Sequence, residues 1–130
     1  MSLYDRAQDV VNAMRQRTTM TPTIGVILGS GLKSLMDEVT HKVSCPLESL
    51  PHSHVSQVAG HDAQYVIGKL EDVTVVMLSG RTHYYEGKGM QDVALPVVVM
   101  HLLGIKHLII TNACGGINLD YKPGDFMLIT

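Results

Sequence analysis

The sequence contains few charged residues and no excess of positive charge. Only 17% of its 130 residues are Asp, Glu, Lys or Arg, and the formal net charge is −2. Proteins that bind nucleic acid generally present a basic face, so this balance argues against nucleic acid as a partner. Any anion that binds here must be held by donors placed close around it, because no overall positive field attracts it.

Cysteine is scarce, and targeting and membrane signals are missing. Cys45 and Cys114 lie far apart and form no CxxC motif, which favours free thiols in a reducing compartment. The sequence has no Asn-x-Ser/Thr site, no secretory signal before Asp5 and no apolar run that approaches a membrane span. We therefore expect a cytoplasmic protein without a membrane partner.

Apolar residues make up 45% of the chain and follow helical and strand patterns. Ser2 and Asp5 form a capping box, and the apolar spacing behind it predicts a first helix. Apolar runs predict buried strands at 24–28, 64–70, 73–78 and 108–112. The second and third runs should form a hairpin, because only two polar residues separate them.

The other segments are less regular. A short helix is expected at 32–39, while 43–50 is open between strand and loop and 51–54 reads as a surface loop. Pro123-Gly124 suits a type II turn, and 126–130 predicts a further strand. Because the sequence stops in that strand, we expect a chain truncated within its fold, with residues 1–130 as part of one domain.

A second long helix is predicted late in the chain. Asp92 is its expected cap and Leu103 its last residue, so Pro96 must lie in the first turn or at a kink. The segment is almost wholly apolar, and we expect it to be buried on most sides. His101 and His107 flank its end and are expected to be structural, since neither has a second ligand nearby in sequence.

Three predicted strands end in segments rich in glycine and polar residues: Gly29-Ser30-Gly31, 80–87 and 113–116. In open α/β sheets ligands bind outside the carboxyl ends of the strands. Together these segments should surround one tetrahedral anion. The expected donors are the Ser30 hydroxyl, the Arg81 guanidinium, the His83 ring and backbone N–H groups near Ser30 and Ala113.

Segment 80–87 carries most of the chemistry. The planar fork of Arg81 matches two phosphate oxygens. Glu86 would repel a phosphate directly, so we expect it to fix the tautomer or charge of His83. Taken singly, this segment also fits a solvated loop anchored by tyrosine, and 113–116 fits a plain glycine turn.

Other binding motifs match the sequence poorly. Gly29-Ser30-Gly31 begins a G-x-G-x-x-G pattern, but Ser34 stands at the third glycine, and the Walker spacing is also absent. His52, His54 and His61 suggest a metal site, yet no HExxH or cysteine pair accompanies them. We therefore expect no metal.

In their order and separations, several segments resemble the trimeric purine nucleoside phosphorylases. The segments are 27–32, 59–61 (Ala-Gly-His), 80–87 (Gly-Arg-Thr-His-Tyr-Tyr-Glu-Gly), 102–105, 111–118 (Thr-Asn-Ala-Cys-Gly-Gly-Ile-Asn) and 124–129. The resemblance covers nearly the whole chain but about the N-terminal half of that fold. It implies an α/β fold with a mixed, twisted central sheet and flanking helices, incomplete at the C-terminus.

The resemblance also implies an activity and a site. Inorganic phosphate, as co-substrate and without any cofactor, would cleave purine (deoxy)ribonucleosides reversibly to free base and (deoxy)ribose 1-phosphate in purine salvage by a homotrimer. Ser30, Arg81, His83 and the Ala113 N–H would bind phosphate, with His61 beside them. Tyr85 would contact the ribose, and Glu86 would orient His83; His83 and Glu86 are the expected catalytic pair.

The sequence departs from the family at Lys33, where glycine is common, and at Cys114, where alanine is common. The acidic residue and Asn that grip the purine in this family cannot be assigned within 1–130, so the isolated chain is expected to be inactive and its base preference stays open. The alternatives are a methylthioadenosine phosphorylase, a non-catalytic phosphate-binding or oligomerising fragment, and a general nucleotide-binding module.

Overall fold

The computed structural model describes residues 1–54 and 62–130. Its two helices are α1 (Leu3–Arg15) and α2 (Met90–Leu103), and its strands are β1 (Ile24–Ile27), β2 (Thr40–Pro46), β3 (Gln64–Leu70), β4 (Val73–Ser79) and β5 (His107–Ile110). Short 3-10 helices lie at Lys33–Glu38, Leu47–Ser49 and Tyr84–Glu86. The short helix expected at 32–39 is therefore of the 3-10 type, and the open segment 43–50 divides between β2 and a 3-10 turn.

The five strands form one mixed sheet in the order β2-β3-β4-β1-β5. β1 runs parallel to both β4 and β5, whereas β2, β3 and β4 are antiparallel neighbours. The predicted hairpin is confirmed, with Leu70 opposite Val73 and Gln64 opposite Ser79. The mixed sheet with flanking helices agrees with the predicted fold class.

Both faces of the central strands are covered, which explains their continuous apolar runs. Alternate residues of β1 and β4, such as Ile27 and Val76, face the larger core with α1 and α2. Their neighbours Val26 and Met77 face a smaller core closed by the 3-10 helix that contains Met36. The continuous apolar runs of β1 and β4 therefore reflect burial of both strand faces, each in its own core.

Helix α1 follows the prediction. The Ser2 hydroxyl accepts a hydrogen bond from the Asp5 N–H at 3.1 Å, and the Asp5 carboxylate accepts one from the Ser2 N–H at 3.0 Å. These reciprocal bonds satisfy two backbone donors that the first turn leaves unpaired. The apolar stripe behind the cap is buried at Ala7, Val10, Val11 and Met14.

Helix α2 differs from its prediction in two respects. It begins at Met90, and Asp92 caps it from within the first turn by accepting a hydrogen bond from the Gly89 N–H at 3.2 Å. Pro96 consequently lies in the helix interior, which excludes the first of its two expected positions, the first turn. Burial is also one-sided: Leu95 and Val99 are buried, but Val97 is 36% exposed, because α2 packs against α1 and a single sheet face.

The end of the chain also departs from expectation. β5 was expected to be buried, yet Ile109 and Ile110 are more than half exposed, because β5 is an edge strand with β1 on one side. The strand expected at 126–130 is absent from the described structure, and Phe126 is 90% exposed. The turn at Pro123-Gly124 is present: Asp125 N donates to Lys122 O at 3.0 Å, and Gly124 has φ 98°.

His101 and His107, which were expected to be structural, are both exposed, and their role stays a prediction. Of the two helices in the described ranges, neither is long and apolar enough to cross a bilayer.

Candidate functional site

The three predicted binding segments leave the sheet from neighbouring strands. β4, β1 and β5 are adjacent and parallel, and Ile27 at the end of β1 is level with Leu78 of β4 and Ile110 of β5. Parallel strands place their carboxyl ends at one edge of the sheet. Segments 29–31, 80–87 and 113–116 therefore emerge side by side at that edge.

Thr111 connects all three segments, and sequence reasoning missed it. Its hydroxyl accepts a hydrogen bond from the Gly29 N–H at 2.8 Å and donates one to the Ile27 carbonyl at 3.0 Å. Its backbone N–H also donates to the Ile27 carbonyl at 3.0 Å, and its own carbonyl accepts from Arg81 Nη1 at 3.1 Å. A polar β-branched residue at a strand end was the available signal.

The first segment approaches β5 closely. A Cβ at Gly29 would lie 2.6 Å from the Asn112 Cα and 2.8 Å from the Thr111 carbonyl oxygen, both backbone atoms that cannot yield. The next residues form a tight turn in which Leu32 N donates to Gly29 O at 3.3 Å and Gly31 has φ 84°. Ser30 lies at the exposed tip of this turn.

Arg81 is half-buried at the start of the second segment. Within the described ranges its hydrogen-bond partner is the Thr111 carbonyl, which engages one of the five N–H donors of the guanidinium. This contact joins the Arg81 segment to the strand that leads into Ala113. Ala113 itself is exposed two residues beyond Thr111.

His83, Tyr85 and Glu86 form a cluster around a single 3-10 turn. The Glu86 carboxylate accepts a hydrogen bond from the His83 backbone N–H at 2.8 Å, and its Oε2 lies 3.5 Å from the His83 ring Nδ1. The His83 ring stacks on Tyr85 with centroids 4.9 Å apart. His83 Nδ1 is buried and makes no hydrogen bond within the described ranges.

Tyr85 and the histidines named in the sequence analysis complete the set of predicted residues. Tyr85 is 73% exposed, so its outer face is open for contact with another molecule. His61 lies outside the described residues, and its prediction stays a prediction. His52 Nε2 lies 2.9 Å from Asp9 Oδ2, and His54 Nε2 lies 3.6 Å from Asp92 Oδ1.

No group of three His, Cys, Asp or Glu side chains suited to a metal ion occurs in the part of the chain that is described.

A salt bridge joins α1 to the first turn of α2, which follows segment 80–87 in the chain. Arg6 of α1 donates to Asp92 Oδ1 at 2.5 Å, and the same carboxylate caps Gly89, the residue before α2. The hydrogen bond from Arg6 is the main cause that lowers the pKa of Asp92 below its ordinary 3.8. Asp92 and Arg81 both line a small cavity of about 20 Å³, together with residues that include His54 and Thr82.

A larger cleft of about 290 Å³ lies elsewhere. Its lining includes Lys33, Asp37, Lys42 and Gln64 and contains none of the predicted site residues. We assign the candidate site to the edge organised by Thr111 rather than to this cleft, because an open cleft between charged surface side chains lacks convergent fixed donors.

Comparison with known proteins gives a consistent result. The family model of the phosphorylase superfamily matches residues 23–130. Purine nucleoside phosphorylase 1 of Bacillus subtilis is 45% identical over 128 residues, which make up 98% of this chain and 47% of that protein. The chain thus spans about half the length of the curated relatives it matches.

Solved structures agree with the sequence comparison. A purine nucleoside phosphorylase in complex with ribose-1-phosphate superposes with a TM-score of 0.87 at 37% identity, over 96% of this chain and 46% of that one. The Schistosoma mansoni purine nucleoside phosphorylase in complex with inosine gives a TM-score of 0.83 at 39% identity, over 93% and 42%. The resemblance to purine nucleoside phosphorylases is confirmed, and the chain belongs to the phosphorylase superfamily.

Proposed function

We propose that residues 1–130 form the phosphate-binding part of a purine nucleoside phosphorylase. The observation that carries the proposal is the convergence of the Ser30 turn, Arg81 and the strand leading to Ala113 on one residue, Thr111. Relatives with this name, and structures that contain inosine or ribose-1-phosphate, give the class of substrate.

In the proposed reaction a phosphate oxygen attacks the anomeric carbon of a purine (deoxy)ribonucleoside. The bond from that carbon to the purine nitrogen breaks, and its electron pair leaves with the base, which takes up a proton in place of the one that the hydrogen phosphate loses. The sugar passes through a cation of oxocarbenium character. A phosphate held rigidly beneath the sugar stabilises this cation as it forms, and the products are free base and (deoxy)ribose 1-phosphate.

The residues take the following proposed roles. Phosphate is held by the Ser30 hydroxyl, the Arg81 guanidinium, the His83 ring and the Ala113 N–H, with His61 beside it. Tyr85 covers the apolar face of the ribose, which suits its exposed ring. Glu86 orients His83, which suits the contacts of its carboxylate with both the backbone and the ring of that residue. No cofactor is needed.

The same resemblance leads us to propose a homotrimer for the complete protein, and the two free thiols fit a cytoplasmic location. Groups that hold the purine are not assigned within 1–130. We therefore propose that the isolated chain binds phosphate without turning over nucleoside, since binding phosphate alone does not accelerate cleavage.

A chimera tests the proposal. Residues 1–130 are joined to the part of the Bacillus subtilis relative that the match does not cover, and hypoxanthine release from inosine is followed with and without phosphate. We expect strictly phosphate-dependent release, a large decrease of that release at low phosphate in the Arg81→Ala chimera, and weak activity on methylthioadenosine. Release that is independent of phosphate, or unaffected by Arg81→Ala, would contradict the proposal.

A further inference from the structure

The bond between Gly29 and Thr111 departs from a regular parallel ladder. Ile27 lies opposite Ile110 in the register of the two strands, and the Thr111 N–H donates a hydrogen bond to the Ile27 carbonyl. In a regular parallel ladder the next hydrogen bond would run from the Gly29 N–H to the Thr111 carbonyl. Instead the Thr111 hydroxyl takes the Gly29 N–H at 2.8 Å. The displaced carbonyl accepts the hydrogen bond from Arg81 Nη1 at 3.1 Å.

From this exchange of partners we propose that Thr111 is a positioning residue for the phosphate site. Its hydroxyl replaces the backbone carbonyl in the sheet and so releases that carbonyl to hold Arg81. The inference rests on the proposed function and deepens it, because it names the group that fixes the Ser30 turn and Arg81 relative to one another.

The chemistry of the side chain makes this role specific. A hydroxyl both donates, here to Ile27, and accepts, here from Gly29. Serine can also both donate and accept a hydrogen bond, whereas valine, which has nearly the same shape as threonine, can do neither. In Thr111→Val the Gly29 N–H either loses its partner or competes with Arg81 for the carbonyl. Both outcomes disturb the turn at Ser30, which immediately follows Gly29.

The test uses the 130-residue chain with inorganic phosphate as the probe. Hydrogen exchange of the Gly29 and Ser30 amides and phosphate titration, both by NMR, are compared in wild type, Thr111→Val and Thr111→Ser. Thr40→Val is the matched control, since the hydroxyl of Thr40 on β2 also donates to a backbone carbonyl, that of Lys69 on β3, remote from the site. Thr111→Ala, which also lacks the hydroxyl and should show the same changes, serves if the valine variant does not fold.

In Thr111→Val we expect the Gly29 amide to exchange faster and the Kd for phosphate to rise, each by about tenfold, the scale of a lost hydrogen bond at a partly buried donor. Thr111→Ser should stay within about twofold of wild type, as should Thr40→Val. Unchanged exchange and affinity in Thr111→Val, or no rescue by serine, would overturn the inference. If the wild-type chain binds no phosphate while Gly29 exchange still follows the hydroxyl, the proposed function fails, and the inference holds only for the position of the Ser30 turn, not for a phosphate site.

Discussion

Arg81 Nη1 donates a hydrogen bond to the carbonyl oxygen of Thr111 across 3.1 Å, although the two residues are 30 positions apart in sequence. The bond anchors one edge of the guanidinium to the end of β5. A guanidinium held at one edge can present its remaining donors as a planar pair, which is the arrangement that a phosphate accepts.

This geometry predicts that lysine cannot replace Arg81. Lysine keeps the charge but has no fork that reaches both a carbonyl and two phosphate oxygens. We expect calorimetry to show a phosphate affinity about tenfold lower in Arg81→Lys and lower still in Arg81→Ala, since hydrogen bonds to charged groups contribute about 1.5–3 kcal/mol. Arg17→Ala is the matched control, because Arg17 binds Ser49 on the exposed surface.

The chimera separates this role from a structural one. The KM for phosphate should rise far more than the KM for inosine in Arg81→Ala. An equal rise in both would make Arg81 a structural residue.

Glu86 is expected to act through the turn that carries His83. Glu86→Gln retains an oxygen that can accept the His83 N–H, whereas Glu86→Ala removes the bond of 2.8 Å. Loss of such a capping bond costs about 1 kcal/mol. Phosphate affinity should therefore fall more in Glu86→Ala than in Glu86→Gln, and an identical loss in both would show that the carboxylate charge, not the bond to the turn, is what matters.

Two glycines of the first segment should respond differently to alanine. At Gly29 a Cβ would collide with backbone atoms of β5 at 2.6 and 2.8 Å, while at Gly31 it would meet open space and only the φ of 84° is unfavourable. We expect urea unfolding to show a loss of more than about 2 kcal/mol in Gly29→Ala and of about 1 kcal/mol in Gly31→Ala. Similar losses would mean that β1 and β5 separate easily at this end.

The sequence allowed good prediction of the elements whose signals are local. The hairpin of β3 and β4 follows from two apolar runs around Glu71 and Asp72, and α1 follows from its capping box. Convergence of three loops could also be predicted, because parallel strands end at one edge.

Features set by neighbours in space could not be predicted in this way. Burial of β5 depends on what lies beyond Ile109 and Ile110, and local apolarity does not reveal it. Asp92 reads equally well as a helix cap or as the third residue of the first turn. The role of Thr111 depends on strand register, since only the register shows that its hydroxyl occupies the place of a carbonyl.

The two cysteines report on the site without any mutation. Cys114 is exposed in the third segment, whereas Cys45 is buried in the core, and burial raises the pKa of the Cys45 thiol. Because the thiolate is the reactive form, iodoacetamide should modify one thiol in the folded chain and two in denaturant.

Phosphate should slow the reaction of Cys114, which directly follows the proposed phosphate contact at Ala113. Chloride at matched ionic strength is the control. Equal rates in phosphate and chloride would place the anion away from this segment.

The Arg6–Asp92 pair predicts acid sensitivity of the fold. The pKa of Asp92 is lowered from 3.8, first by the Arg6 hydrogen bond, so the carboxylate stabilises the folded state fully above the unfolded pKa and loses that contribution as the pH falls through the folded value. Asp92→Asn should destabilise the chain by about 1–2 kcal/mol at pH 7 and should flatten the decline of the unfolding free energy below about pH 5.

Four further variants isolate this effect. Arg6→Met should flatten the same decline, and the double variant should add little, because the two residues act as a pair. His54→Gln removes the ring that lies 3.6 Å from the same carboxylate. This variant therefore shows how much of the decline in unfolding free energy depends on His54 rather than on Arg6. Asp5→Asn provides the comparison at a second carboxyl, since Ser2 lowers the pKa of Asp5 at a fully exposed position. If Asp92→Asn declines below pH 5 as steeply as wild type, the pair does not control the acid sensitivity.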